Sequence, residues 1–389
     1  MKTPRSGSTS FALALLLAIG TTTMGAARTF VYVSTAQDGD IDAYAMDTST
    51  GSLTPIGKAE AGKLVMPMAV SPDKKRLYAV VRSQPPRVLT YAINPTTGAL
   101  TQKASAPLPD SMAYVSTDRT GRYLFTASYG GDKLAVSPIS ESGLVEAGAI
   151  QVIPTGRNAH SILPDRSNKF VYAATLGANQ VLQFTFDSKT GKLTPNDPAA
   201  VSPGAGHGPR HMALSPDNKN LYVLNELSGH VTQYAVDSGK GTLTLIESTS
   251  SVPAAAGLAW GTPQAPVGAA PTPPAAEPAK DEKSKVWAAD IQITPNGNFL
   301  YSTERTTSKI ALFTVAPGTG KLTYVTNFAT EAQPRGIGID PSGRYLVASG
   351  EKSDHLSVYK IDQSTGRLGE ASRYPVGNGA NWVEIVDVQ

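Results

Sequence analysis

The stretch SPDNKNLYVLNE (215–226) sets a polar turn directly before a strand that opens on an aliphatic–aromatic pair, Leu221 and Tyr222. The same unit returns as SPDKKRLYAVVR (71–82), DRTGRYLFTASY (118–129), DRSNKFVYAATL (165–176), TPNGNFLYSTER (294–305) and DPSGRYLVASGE (340–351). Pro, Asp, Asn and Gly supply the turn, and the β-branched and aromatic residues that follow suit a pleated, buried surface. Each unit is followed by a further strand and, in four copies, by a hairpin of the TGxL type: TTGAL (96–100), KTGKL (189–193), GTGKL (318–322) and STGRL (364–368). An incomplete first copy, FVYVSTAQDGDIDAYAMDTSTGSL, occupies 30–53.

Registering the copies on the second residue of the aliphatic–aromatic pair gives Tyr32, Tyr78, Phe125, Tyr172, Tyr222, Tyr301 and Val347, with intervals of 46, 47, 47, 50, 79 and 46 residues. Seven copies spaced by about 47 residues match four-stranded propeller blades. The expected fold is therefore all-β, a seven-bladed β-propeller. The first copy lacks a leading strand, and WVEIVDV (382–388) has no blade of its own. Placing this C-terminal strand in blade one closes the ring and removes open sheet edges. The long interval has a visible source: residues 262–280 hold six prolines and six alanines. The reading is a solvated loop within an insertion covering about 252–286, inside a single propeller domain over 28–389.

Residues 1–27 stand apart. Lys2 and Arg5 precede the apolar run FALALLLAI (11–19), which is too short to span a bilayer, and Gly25 and Ala27 suit a cut before Arg28. This pattern predicts a signal peptide, a periplasmic or secreted protein, and no membrane association after cleavage. The 389 residues contain no Cys, so neither disulfides nor a lipoprotein anchor is available. A net charge of +3 argues against a nucleic-acid partner. A monomer is the expectation.

Strand register turns the repeat into a spatial forecast. Positions −12 and +4 relative to the reference residue are equidistant from the turn, so they are predicted to face each other at the far end of each hairpin, around one mouth of the central channel. Position −12 gives Met66, Ala113, His160, Arg210, Ala289 and Arg335; position +4 gives Ala36, Arg82, Tyr129, Leu176, Glu226, Arg305 and Glu351. Four arginines, two glutamates, a histidine and a tyrosine in two slots point to an anion-recognising site. His160, Glu226, Arg210 and Arg305 are its candidate catalytic residues. Arg82, Tyr129, Arg335 and Glu351 are candidate substrate contacts. His211 and Asp290, at −11, join the substrate group although strand alternation points them differently. The five histidines show no metal-binding spacing, and neither a phosphate loop nor a G-x-S-x-G elbow occurs, so no metal or cofactor is expected.

The segments GPRHMALSPDNKNLYVLNEL (208–227), WAADIQITPNGNFLYSTERT (287–306) and QPRGIGIDPSGRYLVASGEKSDHLSVYKI (333–361) resemble the propeller-type bacterial 6-phosphogluconolactonases, as does MAVSPDKKRLYAVVR (68–82). The resemblance runs from Phe30 to the C-terminus and is broken only by the Pro/Ala stretch. It implies hydrolysis of 6-phosphoglucono-1,5-lactone, in carbohydrate metabolism through the pentose phosphate pathway, without a metal. The more distant propeller carboxymuconate-lactonizing enzymes use a His, two Arg and a Glu, which match His160, Arg210, Arg305 and Glu226. One departure is Met112, Ala113 and Tyr114 where the lactonases tend to show P-x-H. Another is the signal-like segment, since export would favour an unphosphorylated gluconolactone. A muconate-type cycloisomerase and a non-catalytic periplasmic propeller binding a partner or small acid are the rival readings.

Overall fold

The computed structural model describes residues 1–3, 28–266 and 283–388, so the expected signal peptide lies almost wholly outside the described residues. Seven four-stranded antiparallel sheets form the blades. Blades two to seven are contiguous in sequence, over 65–107, 112–154, 159–201, 209–250, 288–329 and 334–375. Blade one combines Arg28–Thr35, Asp40–Met46 and Leu53–Glu60 with the C-terminal strand Ala380–Val388, which pairs antiparallel with Arg28–Thr35. The chain ends are thus stitched into one sheet, as the missing first strand requires.

The repeat residues explain themselves once the blades are stacked. The second-strand tyrosines are buried, and each sends its hydroxyl to a carbonyl in the closing hairpin of the next blade. Tyr32 donates to Gly98 at 2.8 Å, Tyr172 to Gly241 at 3.1 Å, Tyr222 to Gly320 at 2.7 Å and Tyr301 to Gly366 at 2.6 Å. Blade three has Phe125 at this position, and Tyr123 makes the bond instead, to Lys189 at 2.9 Å. Blade seven has Val347, and Tyr345 reaches Ser49 at 2.8 Å, joining the last blade to the first. Burying a phenol without a partner costs free energy, so one aromatic per blade both fills the gap between sheets and fixes their spacing.

The glycine of the TGxL hairpin has a matching cause. Gly98 (φ 72°) and Gly366 (φ 70°) adopt left-handed backbone, and a Cβ at either would run into the ring of Phe30 or Phe299. At the opposite turn, Asp118 Oδ1 accepts from the backbone N–H groups of Arg122 and Tyr123 at 2.7 and 2.9 Å, closing the turn before the second strand.

The innermost strands differ from the simple hairpin expectation. Pairing runs Pro209–Asn225 and then His211–Leu224, leaving Arg210 as the extra residue of a bulge. His160, Arg335 and Ala113 occupy equivalent bulges in their blades. Consequently the residue at +4 pairs with −14 and not −12. The amides of Arg82, Glu226, Arg305 and Glu351 donate to the carbonyls of Leu64, Gly208, Trp287 and Gln333, at 2.7 to 3.1 Å. The forecast register was two residues out: one residue comes from the turn, where Leu214 already pairs with Leu221, and one from the bulge, which inserts a residue and re-aims its side chain.

Candidate active site at the channel mouth

Bulged residues from the first strands and residues just past the ends of the second strands converge on one cavity of about 230 Å³. Arg82, Tyr129, His160, Arg210, Glu226, Arg305, Arg335 and Glu351 all line it, together with Ala113. Blades two to seven each contribute, which places the cavity on the propeller axis. Met66, Ala289, Ala36 and Leu176, the other apolar members of the same two slots, are not among its lining residues.

Glu226 is the hub. Its Oε2 accepts from Arg210 Nε at 2.7 Å and from Arg305 Nη2 at 2.9 Å, with all three side chains at most 4% exposed. Its Oε1 takes part in no hydrogen bond among the described residues. Arg210 also donates to the Ala289 carbonyl. Arg305 donates from Nε to the Trp287 carbonyl at 3.1 Å, and its guanidinium lies 3.7 Å from the centroid of the Trp287 ring. Burial pulls the Arg305 pKa down to about 9 against the opposing pull of Glu226.

A second pair, Arg335 Nη1 and Glu351 Oε1, sits at 3.1 Å on a more open side. Arg82 has no such partner. It is 5% exposed, donates to Ser111 Oγ at 3.1 Å, and approaches Met66 Sδ at 3.6 Å. Burial, reinforced by Arg335 and Arg210, brings its pKa down to about 9. The acid whose charge it feels, Asp110, is bonded to Lys133 at 2.9 Å. Four guanidinium groups against two carboxylates leave the cavity with an excess of positive charge suited to an anion.

His160 is 5% exposed, with ring contacts to Tyr129 and His211 at 5.6 and 5.2 Å between centroids. Its Nδ1 is buried without a hydrogen-bond partner. Burial, then Arg210 and His211, holds its pKa well below 6.5. Protonation of the ring is correspondingly disfavoured.

His211 and Asp290 do not reach this cavity. They line a second one of about 270 Å³, deeper in the channel, with Tyr114, Trp382 and Glu384. Next to the bulged residue, alternation turns them the other way. Asp290 Oδ1 meets His211 Nδ1 at 2.8 Å, and its Oδ2 accepts the Ile337 amide at 3.0 Å, tying blades five, six and seven. The structure thus sets them apart from the other eight candidate residues.

Two lining contributions were missed. Trp287 sits at −14, the true partner row of +4, and extending the slot analysis by two residues would have found it. Gln264 and Ala265 come from the inter-blade segment read as solvated. The Tyr129 hydroxyl donates to the Gln264 carbonyl at 2.9 Å, and no periodic signal marks such a contact. Among the described residues no group of three or more His, Asp or Glu is arranged to hold a metal ion, and no helix is long and apolar enough to cross a membrane.

Fold and site together define a closed seven-bladed propeller with a small, cationic, solvent-reachable cavity on its axis. The chain belongs to the family described as Lactonase, 7-bladed beta-propeller, whose model matches residues 19–385. It is 38% identical to a 6-phosphogluconolactonase of Serratia proteamaculans (strain 568), over 92% of this chain and 99% of the relative. A 6-phosphogluconolactonase of Yersinia pestis (strain Pestoides F) is 37% identical over 92% of this chain and 98% of its own. Among solved structures, the periplasmic gluconolactonase PpgL of Pseudomonas aeruginosa superposes with a TM-score of 0.78 at 25% identity, covering 93% of this chain and 99% of that one.

Proposed function

We propose that this protein hydrolyses the ring ester of a sugar δ-lactone, with His160, Glu226, Arg210 and Arg305 as the reacting constellation. The observation that carries this reading is Glu226 holding two buried arginines beside His160 in one cavity. His160 accepts a proton from the water that attacks the lactone carbonyl. Arg210 and Arg305, held in place by Glu226, stabilise the negative charge that develops on the carbonyl oxygen. Collapse of the tetrahedral intermediate breaks the ring C–O bond, and the His160 proton passes to the departing hydroxyl. The product is the open-chain sugar acid. We assign proton transfer to His160 and the holding of Arg210 and Arg305 to Glu226, whose Oε2 accepts from both.

Arg82 and Arg335 are the substrate-binding groups for a second negative charge. A buried guanidinium without a carboxylate is costly unless a ligand supplies the anion, and a phosphate ester does so. This supports 6-phosphogluconolactone as substrate, as in the curated relatives. A second reading, plain gluconolactone, is favoured by the signal-like residues 1–27, which we assign to export into the periplasm, and by the periplasmic gluconolactonase among the structural relatives. The deciding experiment offers the purified protein both lactones side by side, measured against spontaneous hydrolysis. Turnover of either above background is expected, with the phosphorylated one favoured; no turnover of any sugar lactone would overturn the assignment.

A further inference from the structure

The interval between the fifth and sixth reference tyrosines is 79 residues where the others are 46 to 50. The described part of this extra chain has a defined course. Its two limbs are pinned together where Ala259 bridges Lys285, with the Val286 amide donating to the Ala259 carbonyl at 2.8 Å. Trp260 then lies on the rings of His207 and His230, at 4.9 and 5.9 Å between centroids, while remaining 47% exposed. The Gly261 amide donates to the Leu227 carbonyl at 2.7 Å. Gln264 accepts the Tyr129 hydroxyl at 2.9 Å from across the mouth. Pro266 packs against Gly130 so closely that a Cβ there would fall 2.9 Å from its own Cβ.

Residues 260–266 therefore run from blade five to blade three along the edge of the reaction cavity, and Gln264 and Ala265 form part of its lining. The cavity volume, about 230 Å³, lies below the roughly 300–1,000 Å³ of pockets that take drug-sized ligands. We infer that this segment is a specificity wall: it restricts the lactone hydrolase to single-ring lactones and rejects the lactones of disaccharide acids, whose second sugar would occupy the space of Gln264 and Ala265. The inference rests on the lactone-hydrolase reading above. Rejection is steric, because a second ring collides with a segment anchored at both ends of its course. The far anchor is a single hydrogen bond and a proline contact, so the wall is displaceable by modest changes.

Two variants of the full chain test it. In one, residues 262–283 are replaced by a short Gly/Ser turn across the Ala259–Lys285 bridge. In the other, Gly130→Ala pushes Pro266 away without altering any cavity side chain. Both are assayed on the δ-lactones of gluconic acid and of a disaccharide aldonic acid, and thermal melting confirms folding. Wild type is expected to turn over the first and leave the second at background. The disaccharide-to-monosaccharide ratio of kcat/KM is expected to rise about tenfold or more in the loop replacement and a few-fold in Gly130→Ala, the size of a relieved steric clash. Should the replacement fail to fold, the Gly130→Ala ratio decides. A ratio unchanged in the folded variants, or wild type accepting the disaccharide lactone equally well, overturns the wall. Absence of turnover on every lactone by wild type overturns the hydrolase reading instead.

Discussion

Two cavities on the propeller axis are built from neighbouring positions on the same strands, yet their chemistry differs. At the mouth, Arg210 and its equivalents stand at bulges, and the guanidinium groups outnumber the carboxylates. One residue further along, Asp290 joins His211 Nδ1 to a backbone amide of the next blade. The mouth retains Arg82 without a carboxylate partner, while Asp290 of the deeper cavity holds blades together; each cavity keeps one buried histidine nitrogen without a hydrogen-bond partner, His160 Nδ1 and His211 Nε2. Polar residues in a channel are thus separated into reactive and structural sets by a single step of strand alternation, sharpened by the bulge.

The sharpest break in this contrast comes from the reacting residues. His160→Ala and Glu226→Gln are each expected to lower kcat by roughly 10²-fold or more. Glu226→Ala additionally leaves two buried guanidinium groups unmatched, with an expected loss of about 3–5 kcal/mol on denaturant unfolding. Next comes Arg82→Met, expected to raise KM for the phosphorylated lactone roughly 10- to 100-fold, the worth of a charged hydrogen bond, with little change for the plain one. Equal effects on both lactones would remove Arg82 from phosphate recognition. Asp290→Asn, in the deeper cavity, is expected to cost about 1–3 kcal/mol of stability while kcat/KM stays within about threefold. A collapse of activity in a folded Asp290→Asn protein would erase the division between the two cavities.

The two cavities also separate by pH. His160 resists protonation in the folded enzyme, so the acid limb of kcat/KM, which reports the free enzyme, is expected below pH 6.5. A limb at or above that value would contradict the proton-acceptor role. Glu384, in the deeper cavity, is displaced the other way: burial pushes its carboxyl up to about 7 from an ordinary 4.5. The folded chain then holds a proton that the unfolded chain releases between those values. Its stabilising contribution is complete below 4.5 and is lost as pH rises through 7. Glu384→Gln, which stays neutral, is expected to gain stability relative to wild type at pH 8 compared with pH 5, by thermal melting.

The fold was legible because each repeat carries its own physical necessities: a turn closed by Asp118 or its equivalents, a tyrosine for the neighbouring blade, and a glycine under an aromatic ring. The C-terminal strand was legible from what blade one lacked. The site was legible as a set of residues, since charged side chains gathered in two slots of the repeat. Their pairing was not, because neither the pairing that closes the turn nor a bulge leaves a periodic signature; only left-handed residues such as Asn158 and Gly208 just before the bulge hint at the irregular backbone. Trp287 escaped for the same reason. Gln264 and Ala265 escaped because their placement depends on contacts between distant blades, and a Pro/Ala-rich composition carries no record of them.

A crystal structure of the protein with its sugar-acid product bound bears most directly on the central assignment, that one opening of the ring gathers the reacting groups. The product carboxylate is expected against Arg210 and Arg305, with His160 beside it and any phosphate at Arg82. A product found in the deeper cavity with Glu384, or bound with Arg210 and Arg305 untouched, would contradict it.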